Sequence, residues 1–342
     1  MEKCGKVQQK VSCIFETHVI DEPASKRKFQ GYKVIATDVI KSAAIASSIT
    51  ESTATEKLDG TCVYIAEWQG LPWLWARLDR KPNKAGDKRF KQFQFLHQKW
   101  EQGPKDIPEP TFEWNIEKDF KEVPDHWRPA SDVNLVNGQP QPDKSRHIPG
   151  WVPLEKKSRQ YCWHESAVDL DRGLGLFLMQ KEGCPQCLQI QALPLRSALG
   201  HTAELIGTHI NGNAYSIGSK RNPLHFLVIH GSIPLSDPPE ISLTEIQNWF
   251  SSTQEGLVEG VVWHCQNGKL FKIHRHHLNL PWPLKDTTPI FSQRRVEILV
   301  DSSNFESDEN VNTAFQKLSR IFNKKCDSIL DLDQLLDSDG EK

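Results

Sequence analysis

Glu56-Lys57-Leu58-Asp59-Gly60-Thr61 is the stretch of this 342-residue chain best suited to covalent chemistry. A lysine, one apolar residue, an aspartate and a glycine stand just before an apolar run that reads as a strand. Such an arrangement can present an amine to the α-phosphate of a nucleotide. A free lysine, with a pKa of about 10.4, is a poor nucleophile at neutral pH. Desolvation or a neighbouring cation lowers that value, and the neutral amine then attacks phosphorus. Chance supplies Lys, Asp and Gly at these spacings in roughly one chain in fifteen of this length, so the motif needs partners.

The segment 258–276 offers them. Asn267-Gly268 between two apolar runs is a strong hairpin signal, and a two-residue loop sets 266 opposite 269. Trp263 then faces Lys272, Val261 faces His274 and Glu259 faces His276. Side chains alternate, so Glu259, Trp263, Lys272 and His274 are expected on one face. Val262, Phe271 and Ile273 are expected on the other, core-like face. A carboxylate suited to Mg²⁺ and a lysine suited to a phosphate oxygen thus share a surface. His274, His276 and His277 lack zinc-finger spacing, and His277 is expected to point away from His274. Cys184-Pro185-Gln186-Cys187 is a lone CxxC and reads as incidental. No GxxxxGK[ST] loop, no GxGxxG after a strand and no nucleophile elbow is present.

Further elements must position these residues. Strands are expected at 32–36, 61–66, 71–77, 174–179, 187–192, 204–207 and 224–229. A helix should start at the Ser242 cap, with Glu245 three residues on, and run to about Ser251. Residues 77–92 hold seven Lys/Arg against two Asp, a local charge of +5. This run reads either as a solvated loop or as a grip for a polyanion. Nine prolines between 104 and 153 read as a loop-rich insertion that packs its Trp residues down without forming a second core. Residues 301–342 carry ten acids and five bases. Val311, Ala314, Phe315, Leu318, Ile321 and Phe322 share one helical face there, and a second short helix is expected near 328–336.

The net charge of −2 gives no global signal for nucleic acid. No stretch of eighteen apolar residues occurs, and the charged N-terminus does not read as a signal peptide. The eight cysteines are therefore expected as reduced thiols, in a protein of the cytoplasm or nucleus.

Lys57-Leu58-Asp59-Gly60, Arg77, Glu204-Leu205-Ile206-Gly207, Leu224–Ile229, Glu259-Gly260-Val261-Val262 and Leu270–His274 follow one another in an order that resembles the covalent nucleotidyltransferases. These are the RNA ligases, DNA ligases and mRNA capping enzymes. The stretch 204–215 looks most like RNA ligases. Flanking text from about residue 5 to 285 is similar to the vertebrate-type RNA ligases that join 5′-phosphate to 3′-hydroxyl ends. The family often has a second lysine two residues after position 272, where this chain has His274.

The resemblance implies an α+β fold: a nucleotidyltransferase (ATP-grasp-like) core of antiparallel sheets with flanking helices. The last 70 residues are too few and wrongly patterned for an OB domain, so a short C-terminal helical segment is expected. The adenylation domain is expected over 1–285, with a basic and Pro-rich insertion at about 78–160. An accessory segment with an acidic tail would cover 286–342. Position by position, Lys57 would form a lysyl-AMP intermediate. Glu56 and Asp59 would belong to the nucleotide site, Glu56 placing the adenine through its backbone. Arg77 would hold ribose or phosphate, Glu204 the ribose hydroxyls, and Phe226 (or His225) would stack on the base. Glu259 would hold the metal and Lys272 the α-phosphate. The cofactors implied are ATP and Mg²⁺, with Mn²⁺ able to stand in. The partner implied is RNA with 5′-phosphate and 3′-hydroxyl ends, joined in RNA repair; no membrane contact is expected, and the oligomeric state is left open with a monomer favoured. A capping-type guanylyltransferase and a non-catalytic RNA-binding relative are the competing readings.

Overall fold

A computed structural model describes residues 6–23, 31–104, 106–304 and 313–340. The chain divides into two compact units, one of Met1–Val7, Val11–Leu74 and Leu154–Lys342, the other of Gln8–Lys10 with Trp75–Pro153.

In the first unit a four-stranded sheet has the order Ser12–Cys13, Leu270–His274, Gly260–His264, Thr53–Lys57. A second sheet runs through Lys325–Cys326, Arg295–Leu299, Cys184–Pro194, Leu174–Lys181, His225–Ile229, Thr202–Gly207 and Thr61–Trp68. The fold is mixed α+β, but the sheets are not purely antiparallel as expected. Ser12–Cys13 runs parallel to Leu270–His274, and Cys184–Pro194 parallel to Arg295–Leu299. Both faces of the second sheet are covered. Phe226 and Val228 join one apolar cluster, and Leu227 and Ile229 join another. That explains the unbroken apolar run in the sequence. Among the described residues no sheet closes into a barrel, and no helix is long and apolar enough to cross a membrane.

The C-terminal stretch is built into this unit. Arg295–Leu299 is a strand of the second sheet. Ala314–Arg320 and Leu332–Gly340 are helices. Phe315, Leu318, Ile321 and Leu336 lie in the same cluster as Leu176 and Phe226. Val311, expected on that apolar face, lies outside the described residues. Cys184 and Cys187 are joined by a disulfide, which corrects the reading of an incidental pair. Opposite Gln180 and Lys181 the register jumps from Leu188 to Cys184, and in this irregular stretch the two cysteine Cα atoms stand 5.3 Å apart, within disulfide range. Cys13, Cys62, Cys162, Cys265 and Cys326 lie outside any disulfide.

The second unit corrects the picture of a coreless insertion. Ile116, Phe120 and Ile148 are buried together, with Trp114, Trp127 and Val133 against them. Much of the basic run lies on a helix, Lys84–Gln102, whose Asn83 side chain accepts from the Gly86 N–H. The helix turns Phe90 and Phe93 onto Phe112, and Phe90 also stacks on Trp114. Gly150–Pro153 pairs with Trp75–Arg77. Phe90 and Phe93 stand at helical spacing on the inner face of the helix, whereas Trp114, Trp127 and Ile148 meet the core from short segments that carry no period.

Leu318 is fully buried. Leu318→Ala should cost about 2–5 kcal/mol and lower the urea midpoint of the main unfolding transition of the whole chain. A wild-type midpoint would mean that the C-terminal helix is not part of the main core.

Candidate functional site

Lys57 is the last residue of its strand and pairs with Gly260. The chain then crosses from the four-stranded sheet to the larger one within Leu58-Asp59-Gly60, and each residue of the crossing is fixed. Leu58 is buried in the larger sheet's core. The Asp59 N–H donates to Tyr215 Oη at 2.7 Å. Its carboxylate accepts from Trp282 Nε1 at 2.8 Å and from Asn211 Nδ2 at 3.0 Å. Asn211 also donates to the Gly60 carbonyl. At Gly60 a Cβ would stand 2.3 Å from the Leu205 carbonyl oxygen, so only glycine lets the two strands approach. The Asp59 carboxylate therefore holds the loop that carries Lys57.

The hairpin register differs by one from expectation. Gly260 faces His274, Val262 faces Lys272 and Trp263 faces Phe271. Cys265 N–H bonds to the Lys269 carbonyl, so the loop has three residues, and Gly268 takes φ +81°. Trp263 consequently belongs to the buried face with Val261 and Ile273, and Val262 to the face of Lys272. Glu259 precedes the strand, and its Oε2 is 2.5 Å from Lys57 Nζ.

The electrostatics follow from this placement. Burial pulls the Lys57 ammonium down, but Glu259, with Glu204 and Asp59 behind it, outweighs burial and holds its pKa above the ordinary lysine value. Lys272 goes the other way: burial first, then the nearby Lys57, bring it down to about 8. The four groups Lys57, Glu204, Glu259 and Lys272 thus sense one another in one unit. Glu56 points to the opposite side of its strand. Burial raises its carboxyl, and Arg294 Nη1, 3.0 Å away, counters that. Its N–H donates to the Ile233 carbonyl.

His230 was not anticipated. Its Nε2 lies 2.9 Å from Glu204 Oε2 and its Nδ1 2.8 Å from Thr202 Oγ1. Cys62 is the strand neighbour of Glu204. Cys62, Glu204 and His230 bring ligand atoms within 4.8 Å of one another. Extending the period of two from Val228, the partner of Glu204, to His230 would have revealed it.

Similarity to known proteins identifies the family. Residues 1–335 match the family model for RNA ligase 1. Rat RNA ligase 1 is 45% identical over 332 residues, covering 97% of this chain and 99% of the rat protein. The mouse and zebrafish proteins of the same name are 44% identical with the same coverage. The chain belongs to the RNA ligase 1 family.

In this RNA ligase 1 family member, two expected nucleotide contacts are placed differently. Phe226 is fully buried in the core, and His225 is buried beside Trp163, bonded to Ser166 and to the Thr208 carbonyl. Neither ring faces open space, because both sheet faces are covered. Arg77 lies in the second unit. There it donates to Asp79 at 2.6 Å and to the Gln8 carbonyl at 2.7 Å, with its guanidinium over Trp151. His277 does not point away from His274. Residues Arg275–Leu278 form a 3₁₀ turn, and the two rings stack at 3.7 Å. Burial, then Lys272, brings His277 down to about 3, and burial with His277 beside it keeps His274 neutral as well.

Glu259→Gln removes the strongest upward pull on Lys57 and leaves burial in force. Its pKa should then fall, and each unit of fall raises the neutral fraction about tenfold well below the pKa. At pH 8 an acylating reagent should modify Lys57 faster in the variant than in the wild type, read by peptide mass spectrometry. An equal rate would show that Glu259 does not hold the proton.

Proposed function

We propose that this chain is an ATP-dependent RNA ligase that joins 5′-phosphate to 3′-hydroxyl RNA ends in RNA repair, within a nucleotidyltransferase fold. The observation that carries the reading is the grouping of Lys57, Glu259, Glu204 and Lys272 around the fixed crossing of Leu58–Gly60. Membership of the RNA ligase 1 family supports it.

Three steps follow. The Lys57 amine attacks the α-phosphorus of ATP. A phosphoramidate bond forms, the bond to pyrophosphate breaks, and the amine gives up its proton. The RNA 5′-phosphate then takes AMP from Lys57. Finally a 3′-hydroxyl attacks that activated phosphate and expels AMP, leaving a phosphodiester.

Each side chain has a part in the first step. In the resting site Lys57 is an ammonium, held so by Glu259. It becomes a nucleophile when positive charge arrives at Glu259 and frees the amine, since burial alone favours the neutral form. The carboxylate of Glu259 is an oxygen donor that fits Mg²⁺ or Mn²⁺. A bound cation would neutralise charge developing on the phosphates. Lys272 is a buried cation for the α-phosphate. Glu204 would turn from His230 to the ribose hydroxyls. The base is left to be held by groups other than Phe226, whose ring is fully buried.

Wild-type protein given α-labelled ATP should carry the label on Lys57, and Lys57→Ala should carry none. Lys272→Ala should slow uptake about 10²-fold, the scale of losing one charge-stabilising donor. Labelled GTP in parallel should give little adduct; preference for GTP would make the protein a capping-type transferase. Label on Lys57→Ala equal to wild type would sink the assignment.

A further inference from the structure

The helix Lys84–Gln102 has two faces of opposite character. Gly86, Phe90, Phe93, His97 and Trp100, at spacings of four, three, four and three, turn inward and are buried or half-buried. Gly86 packs so closely that a Cβ there would stand 2.4 Å from the Asp119 carbonyl oxygen. Lys84, Lys88, Lys91 and Phe95 repeat at four, three and four on the far side. All four are exposed, Phe95 to 57%. With Gln92 and Asp87 they line one open concavity.

The charges of this stripe are unspent. Among the described residues none of Lys84, Lys88 and Lys91 is paired with a carboxylate, whereas the one acid of the concavity, Asp87, bonds to Arg146 at 3.0 Å. Lys99 adds a further cation 4.5 Å from the Phe95 ring. An exposed aromatic ring at the end of a row of free ammonium groups costs solvation and contributes nothing to the unit's own core, which lies on the other face.

We propose that this outer face binds single-stranded RNA, the backbone running along Lys84, Lys88 and Lys91 and one base stacking on Phe95. The inference rests on the RNA ligase reading for the nature of the polyanion. Lys84 to Lys91 spans about 10 Å of helix axis, a reach that brings successive phosphates to successive lysines. Only a strand with unstacked bases can offer a base face to Phe95, and that selects single-stranded RNA over duplex. Lysines that meet phosphates and a ring that meets any base give grip without sequence preference.

The test uses the full chain and a short 5′-phosphorylated RNA of mixed sequence, single-stranded or annealed, followed by fluorescence anisotropy across a salt series. The wild type should bind the single strand more tightly than the duplex. Lys84→Gln, Lys88→Gln and Lys91→Gln together should reduce the slope of log K against log salt by about 2, at roughly 0.7 per phosphate lost. Phe95→Ala should weaken binding about tenfold and leave the slope unchanged. Uptake of label from ATP at Lys57 involves no RNA and should be unaffected in every variant. Wild-type affinity and slope in the triple variant, no effect of Phe95→Ala, or preference for duplex would each overturn the surface. Absence of label in the wild type would overturn the ligase reading instead, while the binding arm still decides the surface.

Discussion

The contact between Lys57 and Glu259, 2.5 Å from nitrogen to oxygen, is the constraint on which the site depends. Two partly desolvated charges are held together where a strand ends and another begins. Such a pair is a poor source of net stability, because desolvation offsets most of the attraction. Its effect lies in state: Glu259 keeps the Lys57 amine charged against the pull of burial. The pairing of Lys57 with Gly260 makes this geometry possible. A slip of one residue would turn Lys57 to the face occupied by Ala54 and Glu56 and bury it among apolar groups.

The neighbours of Lys57 in sequence divide the work of holding it. Glu56 faces the other way and meets Arg294, so the strand is tied on the side opposite to the amine. Leu58 sits in the larger sheet's core, Asp59 is bonded from three directions, and Gly60 presses against Leu205. A lysine side chain has four rotatable bonds and much entropy to lose. Fixing its backbone on both sides confines the amine's reach to a small volume that includes Glu259. The Lys-x-Asp-Gly spacing is thus a packing requirement in its own right: around the lysine, the apolar residue anchors, the aspartate clamps and the glycine permits contact.

Much of this was legible in the sequence. The alternation and apolar runs placed Thr61–Trp68, Leu71–Arg77, Thr202–Gly207 and His225–Ile229, and the Ser242 cap placed its helix, where Ser242 Oγ accepts from the Glu245 N–H. Lys57, Glu204, Glu259 and Lys272 come together from four strands or strand ends remote in sequence. The misreadings have physical causes. Asn267-Gly268 suggested a two-residue loop, but Gly268 alone takes the left-handed conformation, and a third loop residue moves the register by one. Phe226 looked available for a base because sequence does not show that helices cover that face of the sheet. In residues 75–153 the helical spacing of Phe90, Phe93, His97 and Trp100 was overshadowed by the charges between them, and Trp114, Trp127 and Ile148 stand in segments too short to carry a period. His230 stands one residue past its strand, where the alternation still operates although the ladder has ended.

The Lys57 site in the first unit and the outer face of the helix in the second carry different kinds of electrostatics. In the first unit charges are buried, paired and mutually shifted, as in Lys57 with Glu259 and Glu56 with Arg294. Such groups respond to a ligand that replaces one partner, and they change state when it does so. On the outer face of the helix in the second unit the lysines are exposed, among the described residues none is paired with a carboxylate, and Asp87, the acid of the concavity, is bonded to Arg146. Exposed cations of this kind change little in state when they bind, and their contribution is mainly the release of counterions from a polyanion. The proposed reaction, which would first activate a small nucleotide in a dry site and then hold a long, hydrated strand, would need both. A single buried site could not serve the second task, because every phosphate contact there would carry a desolvation cost.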